Sequence, residues 1–170
     1  DLESRKPTVA FGDTIEGDLS RRDFTVNAMA VRLPSLQFVD PFNGLADLAS
    51  GVLRTPVTAE QSFSDDPLRM MRAVRFVSKL GFSIDDTTAA AIRELAPRLE
   101  IVSAERIREE LVKLIVGTHP RAGLEAMVNL GLAQIVLPEL PALRLEIDEH
   151  HHHKDVYTHT LTVLEQAIDL

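Results

Sequence analysis

Strand-like segments stop near residue 57 of this chain, and only helical patterns follow. Before that point, "TVAFG" (8–12), "LQFVDP" (36–41) and "VLRTP" (52–56) read as short strands closed by Gly or Pro. Between them the spacing predicts a helix over Arg21–Val31, then a turn and a short helix within 42–51 that ends at Gly51. After Thr58, helices are expected at about 59–63, 67–80, 85–97, 104–116, 120–130 and 154–170, with a looser stretch at 137–150. The fold class that follows is α+β, predominantly α. Only the helical part carries enough apolar surface to look self-sufficient. Residues 1–57 are expected to leave an open sheet edge and apolar face, and so to be disordered or to pair with another copy.

Composition narrows the classes. A hydrophobic fraction of 45% supplies a core, and the absence of cysteine excludes disulfides and thiolate metal sites. The most apolar region, "MVNLGLAQIVLPELPAL", is interrupted by Asn129, Gly131, Gln134, Pro138 and Pro141, which argues against a membrane span. The absence of cysteine also suits a cytoplasmic protein, and no signal-peptide pattern is visible. A net charge of −8 argues against a surface that binds polyanions everywhere. The arginines are nonetheless clustered: Arg21 adjoins Arg22, and Arg69, Arg72 and Arg75 recur every third residue. That placement suggests a defined phosphate site. The opening "DLESRKPTVAFGD" and the closing "VLEQAIDL" both read as cut from something longer.

Two stretches carry chemistry. In "DLSRRDFTVNAMA" (18–30) Ser20 can be a helix N-cap, with Arg21 and Arg22 solvated and Asn27 satisfied by backbone. Alternatively, two adjacent guanidinium forks grip different oxygens of a triphosphate. Asp23 and Asn27, at i and i+4 of a helix, would then share a face that could hold ribose hydroxyls or a phosphate oxygen. In "SDDPLRMMRAVRF" (64–76) Asp66 before Pro67 reads as an N-cap. Capping does not explain Arg69 and Arg72, because the rest of that helix is apolar and long charged side chains there need partners. A functional role is favoured for Asp66, Arg69 and Arg72.

"GDLSRRDFTVNAMAV", "DPFNGLADLASGVLRTP", "DDPLRMMRAVRF" and "VSAERIREELVKLI" follow one another as in the class II tRNA nucleotidyltransferase and bacterial poly(A) polymerase family, which the chain resembles from about residue 10 onward. The resemblance implies addition of CCA, or of A residues, to tRNA or other RNA 3′ ends from CTP and ATP. It implies that Arg21, Arg22, Asp23 and Asn27 hold triphosphate and ribose, and that Asp66 and Arg69 read the base, with Arg72 in the same motif. Asp40–Leu48 matches a hinge, and Ser103–Leu114 a neck helix that supports the site. Residues 1–57 would be the C-terminal part of a nucleotidyltransferase head, 58–148 the helical neck, and 149–170 the start of an HD-type domain. Asp65 departs from the family, which usually has Glu there, so its support of the neighbouring arginine is expected to be weaker or differently angled.

The family's glycine-rich turn and Asp-x-Asp metal pair do not occur in residues 1–170. Mg²⁺ is therefore expected to be bound mainly upstream, and this chain alone is expected to be inactive. The run His150–His153 could bind metal opportunistically, and His159 in "VYTHTLTVL" resembles the first divalent-metal ligand of HD-type phosphohydrolases. A solvent-facing or helix-packed His159 is the favoured alternative. Two rival functions remain: a bacterial poly(A) polymerase, and a non-catalytic RNA- or nucleotide-binding helical module.

Overall fold

The structure is a computed structural model that describes residues 14–145 and 156–168. The strand expected at 8–12 and the run His150–His153 lie outside those residues. Helix α1 (Ile15–Leu19) opens on Thr14, whose Oγ1 accepts the Gly17 N–H. A single 3₁₀ turn at Thr25–Asn27 leads into strands β1 (Ala30–Arg32) and β2 (Gln37–Val39). These form an antiparallel hairpin with Ala30 opposite Val39. Helix α2 (Gly44–Ser50) begins where the Asp40 carboxylate accepts the N–H groups of Gly44 and Leu45, at 2.7 and 3.0 Å. Strand β3 (Val52–Leu53) and helix α3 (Ala59–Asp65) follow, the latter capped by the Thr58 hydroxyl.

The remainder is helical apart from strand β4 (Ser83–Ile84). Helices α4 (Leu68–Leu80), α5 (Asp86–Leu95), α6 (Ala104–Ile115) and α7 (Pro120–Asn129) form the bulk of the fold. Short helices α8 (Ala133–Val136) and α9 (Glu139–Ala142) follow, and α10 (Val156–Ile168) buries Tyr157 and Leu161. These bounds match the helical periodicity closely. Among the described residues no helix is long and apolar enough to cross a membrane.

Three expectations are corrected. Residues 21–31 do not form a helix, because their polar groups are claimed by other parts of the fold. Thr25 donates its N–H to the Arg54 carbonyl at 2.8 Å and its hydroxyl to Asp47 at 2.6 Å. Asn27 Oδ1 accepts the Phe24 N–H at 3.3 Å, and Ser20 closes α1 by donating to the Gly17 carbonyl rather than opening a helix. Strands also continue past Thr58: β3 pairs in parallel with β4, Val52 beside Ser83 and Leu53 beside Ile84. Two residues are too few to leave a periodic signal. Finally, residues 14–57 are folded here, and Phe24 and Leu53 are fully buried in one core with Phe63, Met70, Met71, Ile92, Leu114 and Met127. Phe24 meets Phe76 edge-on at 5.6 Å. The open apolar face does appear, on the hairpin, where Val31, Leu33, Leu36 and Phe38 are all more than half exposed.

Helix α4 runs through the centre against α6 and α7, and small residues set the spacing. Ser78 donates its hydroxyl to the Leu114 carbonyl at 2.5 Å and accepts the His119 N–H at 2.6 Å through its own carbonyl. A Cβ at Gly123 would lie 2.6 Å from the Ser78 Cβ and 3.1 Å from the Val74 carbonyl oxygen. Gly123→Ala improves helix propensity by about 1 kcal/mol, yet forces α7 away from α4 at a cost of roughly 1–3 kcal/mol. The expected result is a lower urea midpoint for unfolding than in the parent. An unchanged or raised midpoint would show that α7 can shift freely.

Candidate functional site

The segment after α1 lies along the first turns of α4. Asp23, only 6% exposed, sits between two arginines of that helix. Its Oδ2 is 2.5 Å from Arg72 Nη2, and its Oδ1 is 3.9 Å from Arg69 Nε. Arg69 is held on its other sides as well: Nη1 donates to the Ser62 hydroxyl at 2.9 Å and to the Ser62 carbonyl at 3.4 Å, and Nη2 donates to the Arg21 carbonyl. Three residues from two separate segments, Arg21 and Asp23 in one and Ser62 on α3, therefore fix one guanidinium.

Asp66 meets the N-cap expectation, since its Oδ1 accepts the Leu68 N–H at 3.2 Å. Its carboxylate is also 3.3 Å from Arg106 Nη2 on α6. Asp66 and Arg69 stand three residues apart, but Arg69 takes Asp23 as its acid. Asp65 does not reach Arg69 either; it accepts from Gln61 Nε2, one turn back on α3, at 2.6 Å. Arg22 is exposed and pairs with Asp18 at 3.4 Å. Asn27 is engaged by the Phe24 backbone. The structure thus brings Asp23, Arg69, Arg72 and the Arg21 backbone together, while Arg22, Asn27 and Asp66 are held by other neighbours. With residues 21–31 not helical, the shared helix face of Asp23 and Asn27 does not exist.

A second buried ion pair continues the series along α4. Arg75 Nη1 lies 3.0 Å from Glu110 Oε2, and Lys113 Nζ lies 3.2 Å from the other oxygen of Glu110. The Arg75 guanidinium also stacks over Phe76, 4.6 Å from the ring centroid. Burial lowers the Arg75 pKa, the neighbouring Arg72 adds to that, and the negative charges of Glu110 and Asp23 oppose it. Sequence reasoning missed Ser62, Arg106 and Glu110 as partners. Arg106, Glu110 and Lys113 do recur at i, i+4 and i+7, a one-faced charge pattern on α6 that signals partners across a helix interface.

His159 is exposed on α10. Among the described residues no group of three or more His, Cys, Asp or Glu side chains could hold a metal ion. These residues do not fit a metal centre.

Comparison with known proteins adds to this geometry. Residues 2–54 match the family described as "Poly A polymerase head domain", and residues 81–143 match "Probable RNA and SrmB- binding site of polymerase A". The chain is 45% identical over 128 residues to a CCA-adding enzyme of Latilactobacillus sakei, covering 75% of this chain and 32% of that protein. It thus spans about a third of the length of such curated relatives. A crystal structure of the Bacillus stearothermophilus CCA-adding enzyme in complex with CTP superposes with a TM-score of 0.70 at 42% identity, over 72% of this chain and 31% of the other. A Thermotoga maritima CCA-adding enzyme complexed with tRNA superposes with a TM-score of 0.68 at 30% identity, over 88% of this chain and 40% of the other.

The Arg75–Glu110 pair has a direct stability test. Glu110→Ala strands a buried guanidinium and is expected to cost about 3–5 kcal/mol. Lys113→Ala removes a half-exposed partner and is expected to cost no more than about 1 kcal/mol. Urea unfolding of both variants checks the contrast; equal small losses would show that Arg75 finds water when Glu110 is removed.

Proposed function

We propose, for a chain that belongs to the class II tRNA nucleotidyltransferase and bacterial poly(A) polymerase family, that its arginine-bearing segments form the nucleotide-selecting part of a template-independent RNA nucleotidyltransferase. The reaction is addition of CCA to tRNA 3′ ends from CTP and ATP, in the cytoplasm where those substrates occur. The observation that carries this reading is a guanidinium, Arg69, held rigidly by Asp23, Ser62 and Arg21 one helical turn from the partly exposed carboxylate of Asp66. Support for the nucleotide class comes from the related enzyme solved with CTP.

The chemistry of the pair suits C and A. Each of those bases offers an exocyclic amine donor beside a ring-nitrogen acceptor. Asp66 accepts from the amine and Arg69 donates to the ring nitrogen. Uracil and guanine present the opposite polarity and leave both groups unpaired, which a desolvated site penalises strongly. Arg106 orients the Asp66 carboxylate from α6. Arg21 and Arg22 are assigned to the triphosphate and Asn27 to the ribose side. Residues 1–57 are assigned to the head, 58–148 to the neck and 149–170 to the start of an HD-type domain; the family matches over 2–54 and 81–143 support the first two.

Phosphoryl transfer of this kind calls for Mg²⁺, which neutralises charge on the phosphates and reacting oxygens. That ion is assigned to carboxylates beyond these residues, and no metal role is given to the exposed His159. A poly(A) polymerase is the second reading, favoured by the head-domain match itself. It would use ATP alone.

The test measures kcat/KM for CTP, ATP, UTP and GTP on tRNA lacking CCA, using the complete gene product. Arg22→Ala should weaken CTP and ATP alike, because phosphates carry no base identity. Arg69→Ala should erode discrimination against UTP and GTP, since a lost charge-assisted hydrogen bond is worth roughly 1.5–3 kcal/mol, or about one to two powers of ten. A uniform loss for all four nucleotides in Arg69→Ala would defeat base readout. Incorporation of A without C in the parent would replace CCA addition by poly(A) synthesis.

A further inference from the structure

We infer that Asp23 acts as the positioning residue for Arg69, and thereby sets base choice, instead of serving as a ligand for ribose or triphosphate. The inference rests on the base-reading role proposed above for Arg69. The burial of Asp23 is the first ground. A carboxylate that binds a sugar hydroxyl must face the substrate, whereas Asp23 is 6% exposed and its two oxygens face Arg72 and Arg69. A carboxylate turned toward a triphosphate would also repel it.

The second ground is the arithmetic of the Arg69 donors. A guanidinium has five N–H groups in a fixed plane. Nη1 is committed to the two oxygens of Ser62, one Nη2 hydrogen to the Arg21 carbonyl, and the Nε edge faces Asp23. A single Nη2 hydrogen is left to meet a base, and its direction follows from where the other contacts hold the plane. Of the described groups that contact it, Asp23 alone carries a charge opposite to that of Arg69. Asp65, the acid that the family resemblance places in support of this arginine, is bonded instead by Gln61. The supporting charge therefore comes from the segment that carries Arg21 and Arg22, not from α3.

Arg72 completes the device. Its Nη2, 2.5 Å from Asp23, keeps the carboxylate from swinging outward. Base reader and phosphate-gripping segment are consequently joined by two contacts: Asp23 to Arg69, and the Arg21 carbonyl to Arg69.

The experiment compares Asp23→Asn with the parent in the complete gene product. It records kcat/KM for CTP, UTP and dCTP on tRNA lacking CCA, with thermal unfolding as the check on folding. The expected result is a CTP-to-UTP preference that falls by about tenfold or more, the scale of one charge-assisted contact, with the CTP-to-dCTP ratio unchanged. Asp23→Glu, which restores the charge, should recover part of the preference. A collapse of the CTP-to-dCTP ratio with CTP over UTP intact would make Asp23 a ribose ligand and overturn the inference. An equal loss for all three nucleotides would make it purely structural. Should Asp23→Asn fail to fold, Arg72→Met frees the carboxylate from the other side, and unchanged selectivity there would equally overturn it. A parent enzyme that shows no preference for CTP over UTP would instead defeat the function proposed above.

Discussion

One buried carboxylate, Asp23, constrains the relation between the two ends of the sequence motif set. An ionised carboxylate withdrawn from water costs several kcal/mol unless it is paired. Its partners are two residues of α4, far along the chain, so the segment 21–23 has to lie against that helix. Once it does, Phe24 falls into the core against Phe76, and the Thr25 N–H meets the Arg54 carbonyl. Arg54 follows β3 directly, and β3 continues into the parallel pairing with β4. A polar requirement at one residue thus fixes the seating of an apolar side chain and of a strand pair.

Helix α4 distributes its arginines as a stepped row. A spacing of three residues turns each successive side chain by about 60° around the helix, so Arg69 and Arg72 share Asp23 while Arg75 turns away to another partner. Arg69 reaches Ser62 and the 21–23 segment, Arg72 reaches Asp23, and Arg75 reaches Glu110 on α6. Such pairs add little net stability compared with apolar packing, and breaking one is costly. Their effect is specificity of arrangement: α4 cannot rotate or slide without stranding a charge. The tight contacts of Ser78 with Leu114 and Gly123 impose the same restriction at the other end of the helix.

The helical part of this fold was legible because its apolar residues keep a 3.6-residue period over ten or more residues, as in α4, α5, α6 and α7. The Arg21–Val31 segment misled for a physical reason. Phe24, Val26, Ala28 and Met29 suggest a helix face, but Thr25 and Asn27 spend their hydrogen bonds on Arg54, Asp47 and Phe24. Propensity is a weak preference that tertiary bonds override. Strand β4 is two residues long and has no pattern to read. At the site, residue types were legible and pairings were not. Asp66 capping Leu68 is local, so spacing revealed it. The contacts of Asp23 with Arg69, and of Arg106 with Asp66, join residues more than thirty positions apart, and no local pattern encodes them.

The placement of acids around Arg69 has a mechanical consequence for how α4 and the 21–23 segment are tied together. If the charge opposite Arg69 came from α3, where Ser62 already accepts from Nη1, the angle of the guanidinium would be set within the helical part and be independent of the 21–23 segment. Asp65 is instead engaged by Gln61, and the bracing charge comes from Asp23, next to Arg22 and two residues from Arg21. A side chain held from a turn follows that turn. Arg22 itself is exposed and, among the described residues, its side chain pairs with Asp18 of α1, a surface pair that can be exchanged for an anion at small cost. Asp23 cannot, because its release would leave Arg72 and Arg69 without their acid in a largely buried setting. Adjacent residues therefore have opposite settings: an exposed cation at the surface, and a buried anion beneath it that faces the guanidinium on α4.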